Sequence, residues 1–203
     1  MQNTTVNLIQ YYFNRLTNSK ISQKEVEEHI LPLINFINNG KNNKFLLSGP
    51  QGSGKTTLLK LIAIVLEKKF NKKILQLSLD DFYYDNKKRT KLSKNIHLLL
   101  KTRGVPGTHD IVKLLQTLKK FDKSKYPIDI PTFNKFSDLR EKIIKINKKC
   151  DLLILEGWCV GAQPVSKSYL FSNINQIEKK FDSKGIWRRY YNDQLKNAYA
   201  KLF

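Results

Sequence analysis

Residues Gly49-Pro50-Gln51-Gly52-Ser53-Gly54-Lys55-Thr56 satisfy the spacing G-x-x-x-x-G-K-[ST] in full. Glycines at that spacing let backbone N–H groups converge on phosphate oxygens, and a helix beginning at Lys55 adds its positive end. Lys55 would neutralise the β- and γ-phosphates of ATP, Thr56 would offer its hydroxyl to Mg²⁺, and Thr57 completes the stretch that touches the nucleotide. Moving a phosphoryl group also needs an acid to take the acceptor's proton and an acid beside the metal. Asp80 and Asp81 close one apolar run and Glu156 closes another, so these three are the candidates. Taken alone, the Asp pair also reads as a helix cap or turn, and Glu156 as a satisfied loop acid. In "RGVPGTHD", Arg103 and His109 could clamp an anionic acceptor at a helix N-terminus; a capped helix with a neutral surface histidine explains the same residues.

The elements that must position these groups follow from periodicity. Val6, Ile9, Tyr12, Phe13 and Leu16 mark a first helix, and Ser22 with Glu25 forms a capping box opening a second, which runs to Asn39-Gly40. "KFLLSG" predicts a buried strand, "GKTTLLKLIAIVLEKKF" a long amphipathic helix, and "KKILQLSL" a second strand ending at Asp80-Asp81. A helix is predicted over 90–101, and another from a cap at Thr108 or Asp110 to Phe121. "YPIDIPTF" predicts a short strand, "CDLLILEG" a strand buried on both faces, and 185–203 a last helix. Strands alternating with helices imply an α/β fold with a mainly parallel sheet, whose chemistry sits at the carboxyl ends of the strands.

The 203 residues suit one domain, with helices over 1–43 and a nucleotide- and acceptor-binding core over 44–203. No apolar run approaches the roughly 20 residues that span a bilayer, and no secretory leader is evident, so a cytoplasmic location is expected. The net charge of +20 is scattered through nearly every segment rather than gathered in a stripe, which argues against specific nucleic-acid binding and leaves long-range attraction of anionic metabolites. Two cysteines, Cys150 and Cys159, make neither a disulfide framework nor a metal spacing.

The stretches "LSLDDFYYDNKKRTKL", "LLKTRGVPGTHDIVKLL", "IPTFNK" and "LLILEGWCVGAQP" together resemble the D-glycerate 3-kinase family and its bacterial kinase-like relatives. These belong to the wider P-loop group of phosphoribulokinase, uridine kinase and pantothenate kinase. The resemblance covers 45–203. It implies a P-loop three-layer sandwich, Asp80 as catalytic base, and Glu156 as the Walker-B-type acid close to Mg²⁺. It also implies that Arg89, Arg103, His109, Lys135 and Arg140 meet an acidic acceptor or the transferring phosphate, with Asp81 and Tyr83 joining them on the acceptor side. Two departures stand out: Asn134 replaces the usual Asp before Lys135, and "FNKFSDLREK" compresses a longer glycine-bearing loop. The helix "WRRYYNDQLKNAYAKLF" resembles one that family members follow with a further strand and a lid, so a C-terminally truncated core is expected.

The resulting expectation is an ATP- and Mg²⁺-dependent kinase for the hydroxyl of a small acidic, glycerate-like metabolite. The alternative is a nucleotide-binding P-loop protein with little or no catalysis. A nucleic-acid-dependent ATPase draws only on the charge.

Overall fold

The computed structural model describes residues 2–202. Its helices are α1 Gln2–Thr17, α2 Gln23–Glu25, α3 Leu31–Asn39, α4 Lys55–Phe70, α5 Asn86–Asn95, α6 Ile111–Asp122, α7 Gln176–Phe181 and α8 Ile186–Asn197. Its strands are β1 Lys44–Ser48, β2 Ile74–Ser78, β3 Ile128–Asn134, β4 Leu139–Ile146 and β5 Leu152–Gly157. The chain forms two compact units: one holds the segment up to Ser78 with Lys148–Val160, the other Leu79–Asn147 with the segment from Gly161 on.

The first unit is built on a parallel sheet in the order β1-β5-β2. Having neighbours on both edges, β5 is buried at all six positions, which is why its sequence is an unbroken apolar run up to Glu156. By contrast, β1 has a partner on one side only, and its residues alternate between exposed and half-buried, with Leu46 45% exposed. The expectation of a buried strand there is therefore corrected: an apolar run does not distinguish a central strand from an edge. Val6, Ile9, Ile34, Ile37, Leu59, Ile62 and Leu66 from α1, α3 and α4 pack with Leu152 and Ile154 into one core. The capping box at Ser22 forms as the spacing implies, and the helix it opens passes through one π turn, Val26–Ile30, into α3. α4 ends where Asn71 enters the left-handed region at φ 53° and its N–H reaches the carbonyls of Glu67 and Leu66.

In the second unit, β3 and β4 pair antiparallel with an irregularity at Pro131/Phe133. Neither β4 nor α7 is foreseen from sequence. The predicted helix over 90–101 instead starts from an Asp85 cap, stops at Asn95, and is followed by a 3-10 turn, Leu98–Lys101. Of the two candidate caps for α6, Asp110 is the one used, accepting from Lys113 N at 3.1 Å. The last predicted helix is shorter than 185–203: α8 gives way to a 3-10 turn, Tyr199–Leu202, and Phe203 lies outside the described residues. Beneath α8, the buried guanidinium of Arg188 bonds Glu178 at 3.2 Å and lies 3.7 Å from Asp182, tying α7 to α8. Both cysteines are buried, and among the described residues no helix is long and apolar enough to cross a membrane.

Candidate active site

The first unit holds the phosphate loop. Gly52 and Gly54 sit at φ 78° and 81°, a backbone region that side chains resist, and Gly54 is the residue from which α4 departs. A Cβ at Gly49 would meet Ser53 Oγ at 3.0 Å. Gln51 and Ser53 are exposed on the loop, and Thr57 is half-buried in the first turn of α4. Lys55 folds back along its own loop, its ammonium donating to Pro50 O at 2.7 Å. The lysine's positive charge thus sits against a neutral carbonyl, a weaker partner than an anionic oxygen.

Directly behind the loop lies Glu156, only 4% exposed. Its Oε1 accepts from Thr56 Oγ1 at 3.1 Å and from Ser78 Oγ at 2.7 Å. The sheet register causes this, because Ser78 on β2 is the Cα partner of Glu156 on β5. Ser78 is absent from the sequence-derived site. Its signal was the hydroxyl residue ending the strand two positions before Asp80. Among the described residues no group of three or more His, Cys, Asp or Glu could hold a metal. One hydroxyl and one carboxylate nevertheless fit Mg²⁺, which keeps most of its shell as water and phosphate oxygens.

The second unit holds the remaining candidates. Asp80 and Asp81 lie in a 3-10 turn, Leu79–Phe82, just beyond β2. Asp80 Oδ2 is 2.5 Å from the Lys135 ammonium, at the turn between β3 and β4. The Asp81 carboxylate accepts from Phe133 N at 3.1 Å and so fastens β3 to that turn. Asn134, where the resemblance expects Asp, shapes the hairpin: its Oδ1 accepts from the N–H groups of Phe136 and Ser137, and its Nδ2 donates to Glu141 at 2.5 Å. A carboxylate there would face the Glu141 carboxylate, which explains why an amide serves in this chain.

Three of the sequence-derived acceptor residues are committed elsewhere. Arg89 is 2% exposed; it donates to the carbonyls of Tyr84 and Lys101 and to Asp138. Arg103 pairs with the other oxygen of Asp138 at 2.8 Å. Burial pushes the Asp138 carboxyl up, but hydrogen bonds and charge from Arg89 and Arg103 outweigh it and hold the group below the usual range. Arg140 bonds Tyr83 O at 2.9 Å and Asp110 at 3.1 Å.

His109 is neither on the surface nor a cation. It is 1% exposed, stacked on the buried Tyr83 ring at 4.2 Å, with Nδ1 2.5 Å from the Tyr199 hydroxyl. Burial lowers its pKa to about 3, against a smaller opposing pull from Asp80, so the ring is neutral and cannot clamp an anion by charge. The reading of a capped helix with a neutral histidine holds, except that the ring is buried rather than on the surface. Asp138 and Tyr199, which hold this cluster together, carried no motif.

No family model and no curated protein matches the chain. Solved structures do. D-glycerate 3-kinase from Cryptococcus neoformans superposes with a TM-score of 0.63 at 23% identity, over 85% of this chain and 67% of that one. The YGR205w protein gives 0.59 at 26% identity, over 86% of this chain and 63% of that one. A possible uridine kinase from Bacillus stearothermophilus gives 0.53 at 16%, over 86% and 97%.

The fold is that of the P-loop kinases. Such a fold presents a mostly parallel sheet with flanking helices, a glycine-rich phosphate loop with its Lys, and a loop hydroxyl and a strand-end acid able to share Mg²⁺. In this chain Lys55 opens α4 directly after the glycine-rich loop, and Thr56 on its first turn bonds Glu156 at the end of β5.

Proposed function

We propose that this chain is an ATP-dependent kinase that phosphorylates a hydroxyl of a small acidic metabolite, glycerate-like. The observation that supports it most is the bond of Thr56 to Glu156 behind an open phosphate loop. It joins the hydroxyl and the acid that a nucleotide-bound Mg²⁺ would use. In this reading the loop N–H groups and Lys55 would hold the β- and γ-phosphates, and Thr56 and Glu156 would hold Mg²⁺. The metal, when bound, spreads the charge of the phosphates. Asp80 takes the acceptor's hydroxyl proton as the acceptor oxygen bonds the γ-phosphorus and the bond to the β–γ bridging oxygen breaks, releasing ADP. Asp81 and Tyr83 fix the acceptor side through β3 and the His109 stack, and Lys135 sets its charge, Arg103 and Arg140 being paired with Asp138 and Asp110.

The test is ADP release from Mg²⁺-ATP against a panel of small hydroxy acids, D-glycerate first, with neutral polyols alongside. Turnover confined to acids is the expected result. ADP release that ignores every acceptor would overturn the proposal. A nucleotide-binding protein without transfer is the second reading, favoured by the Lys55 bond to Pro50, which gives that ammonium a partner without phosphate. Stabilisation by nucleotide with no turnover on any acceptor would establish it.

A further inference from the structure

The four cations expected on the acceptor side, Arg89, Arg103, Lys135 and Arg140, are not equivalent. Arg89 is sealed in, Arg103 and Arg140 each lean on an aspartate, and their side chains are 2%, 32% and 31% exposed. Lys135 is 61% exposed, and its partner is Asp80 itself, at 2.5 Å. The ammonium is a point charge with three donors on a flexible stem, whereas Asp80 is fixed on a short turn and only 21% exposed. The turn carrying Lys135 is fixed by Asn134 and Glu141, so the lysine works from an ordered base.

We infer that Lys135 is the receptor for the acceptor's own carboxylate, and that its binding there draws the ammonium away from Asp80. This rests on the kinase reading above and deepens it. An acceptor carboxylate competes with Asp80 for one positive charge, and when it takes that charge Asp80 is left to bond the hydroxyl and accept its proton. A neutral alcohol offers nothing in exchange, so Asp80 stays paired. One exposed point charge also suits a singly charged hydroxy acid better than a doubly charged phosphate ester. Lys135 is thus both the acid-specific contact and the guard on the base.

The consequence is unusual for a catalytic carboxylate: removing its charge improves substrate binding. D-glycerate, followed by other monoanionic hydroxy acids, is titrated by calorimetry into the full chain saturated with Mg²⁺ and a non-hydrolysable ATP analogue. Lys135→Met is expected to weaken binding about tenfold or more, and Lys135→Arg to restore part of it. Asp80→Asn is expected to tighten binding while transfer from ATP is lost. Lys135→Met binding as tightly as the parent, Asp80→Asn binding more weakly than the parent, or no binding of any such acid to the parent would each overturn the inference. If the parent binds the acid with these variant effects yet makes no ADP from ATP, the kinase reading fails and the Lys135 assignment stands.

Discussion

Thr56 donates its hydroxyl hydrogen to Glu156 at 3.1 Å, across 100 residues of sequence. The parallel register of β2 and β5 adds Ser78 to the same carboxylate oxygen at 2.7 Å. Two hydroxyls on one oxygen hold the acid's orientation, and that orientation is what a metal bound through Thr56 would feel. Ser78→Ala removes one of the two. The Mg²⁺ concentration for half-maximal rate should then rise about ten- to a hundredfold, as for other partners that orient a metal ligand. An unchanged Mg²⁺ dependence would make Ser78 a strand-end hydroxyl with no functional part.

His109 gives the chain a pH signature independent of activity. Its folded pKa, about 3, lies below the unfolded value of 6.5, so the unfolded chain binds the extra proton between those limits. Its contribution is whole above about pH 6.5 and is lost as pH falls toward 3, a difference on the order of a few kcal/mol by pH 4. Urea unfolding at neutral pH and near pH 4 checks this. His109→Gln should lose less stability on acidification than the parent, and parallel pH profiles would contradict the burial argument.

Gly107 sits at φ 98°, and a Cβ there would meet Tyr190 Cε1 at 2.6 Å and Gln194 Cγ at 2.9 Å on α8. Its N–H also donates to the Tyr199 hydroxyl that holds His109. Gly107→Ala combines backbone strain with a clash against ring and stem. It is expected to cost about 2–4 kcal/mol in a denaturant titration. A loss under half that would mean α8 yields readily.

What sequence could disclose tracks how local each feature is. The phosphate loop is a contiguous pattern, and β5 announces itself because both its faces are buried. β4 does not: "LREKIIKI" mixes four charged residues with Ile143 and Ile144, which are 57% and 48% exposed, so neither alternation nor an apolar run results. α7 is six residues, too short for a helical period to register. The partners on the acceptor side are long-range in sequence: Arg89 pairs with Asp138, 49 positions on, and buried His109 bonds Tyr199, 90 positions on. Ser78 ends a predicted strand, but its pairing with Glu156 follows only from strand register. The motifs named the residues; their burial and partners decided the roles.

The central claim, that Asp80 is the base of a phosphoryl transfer, has one direct test. Asp80→Asn and the parent are compared for phosphoryl transfer from Mg²⁺-ATP to the best acceptor of the hydroxy-acid panel, with ATP affinity measured on both. The account predicts a rate lower by about a hundredfold or more with ATP affinity nearly unchanged. Equal transfer rates in the two proteins would contradict it.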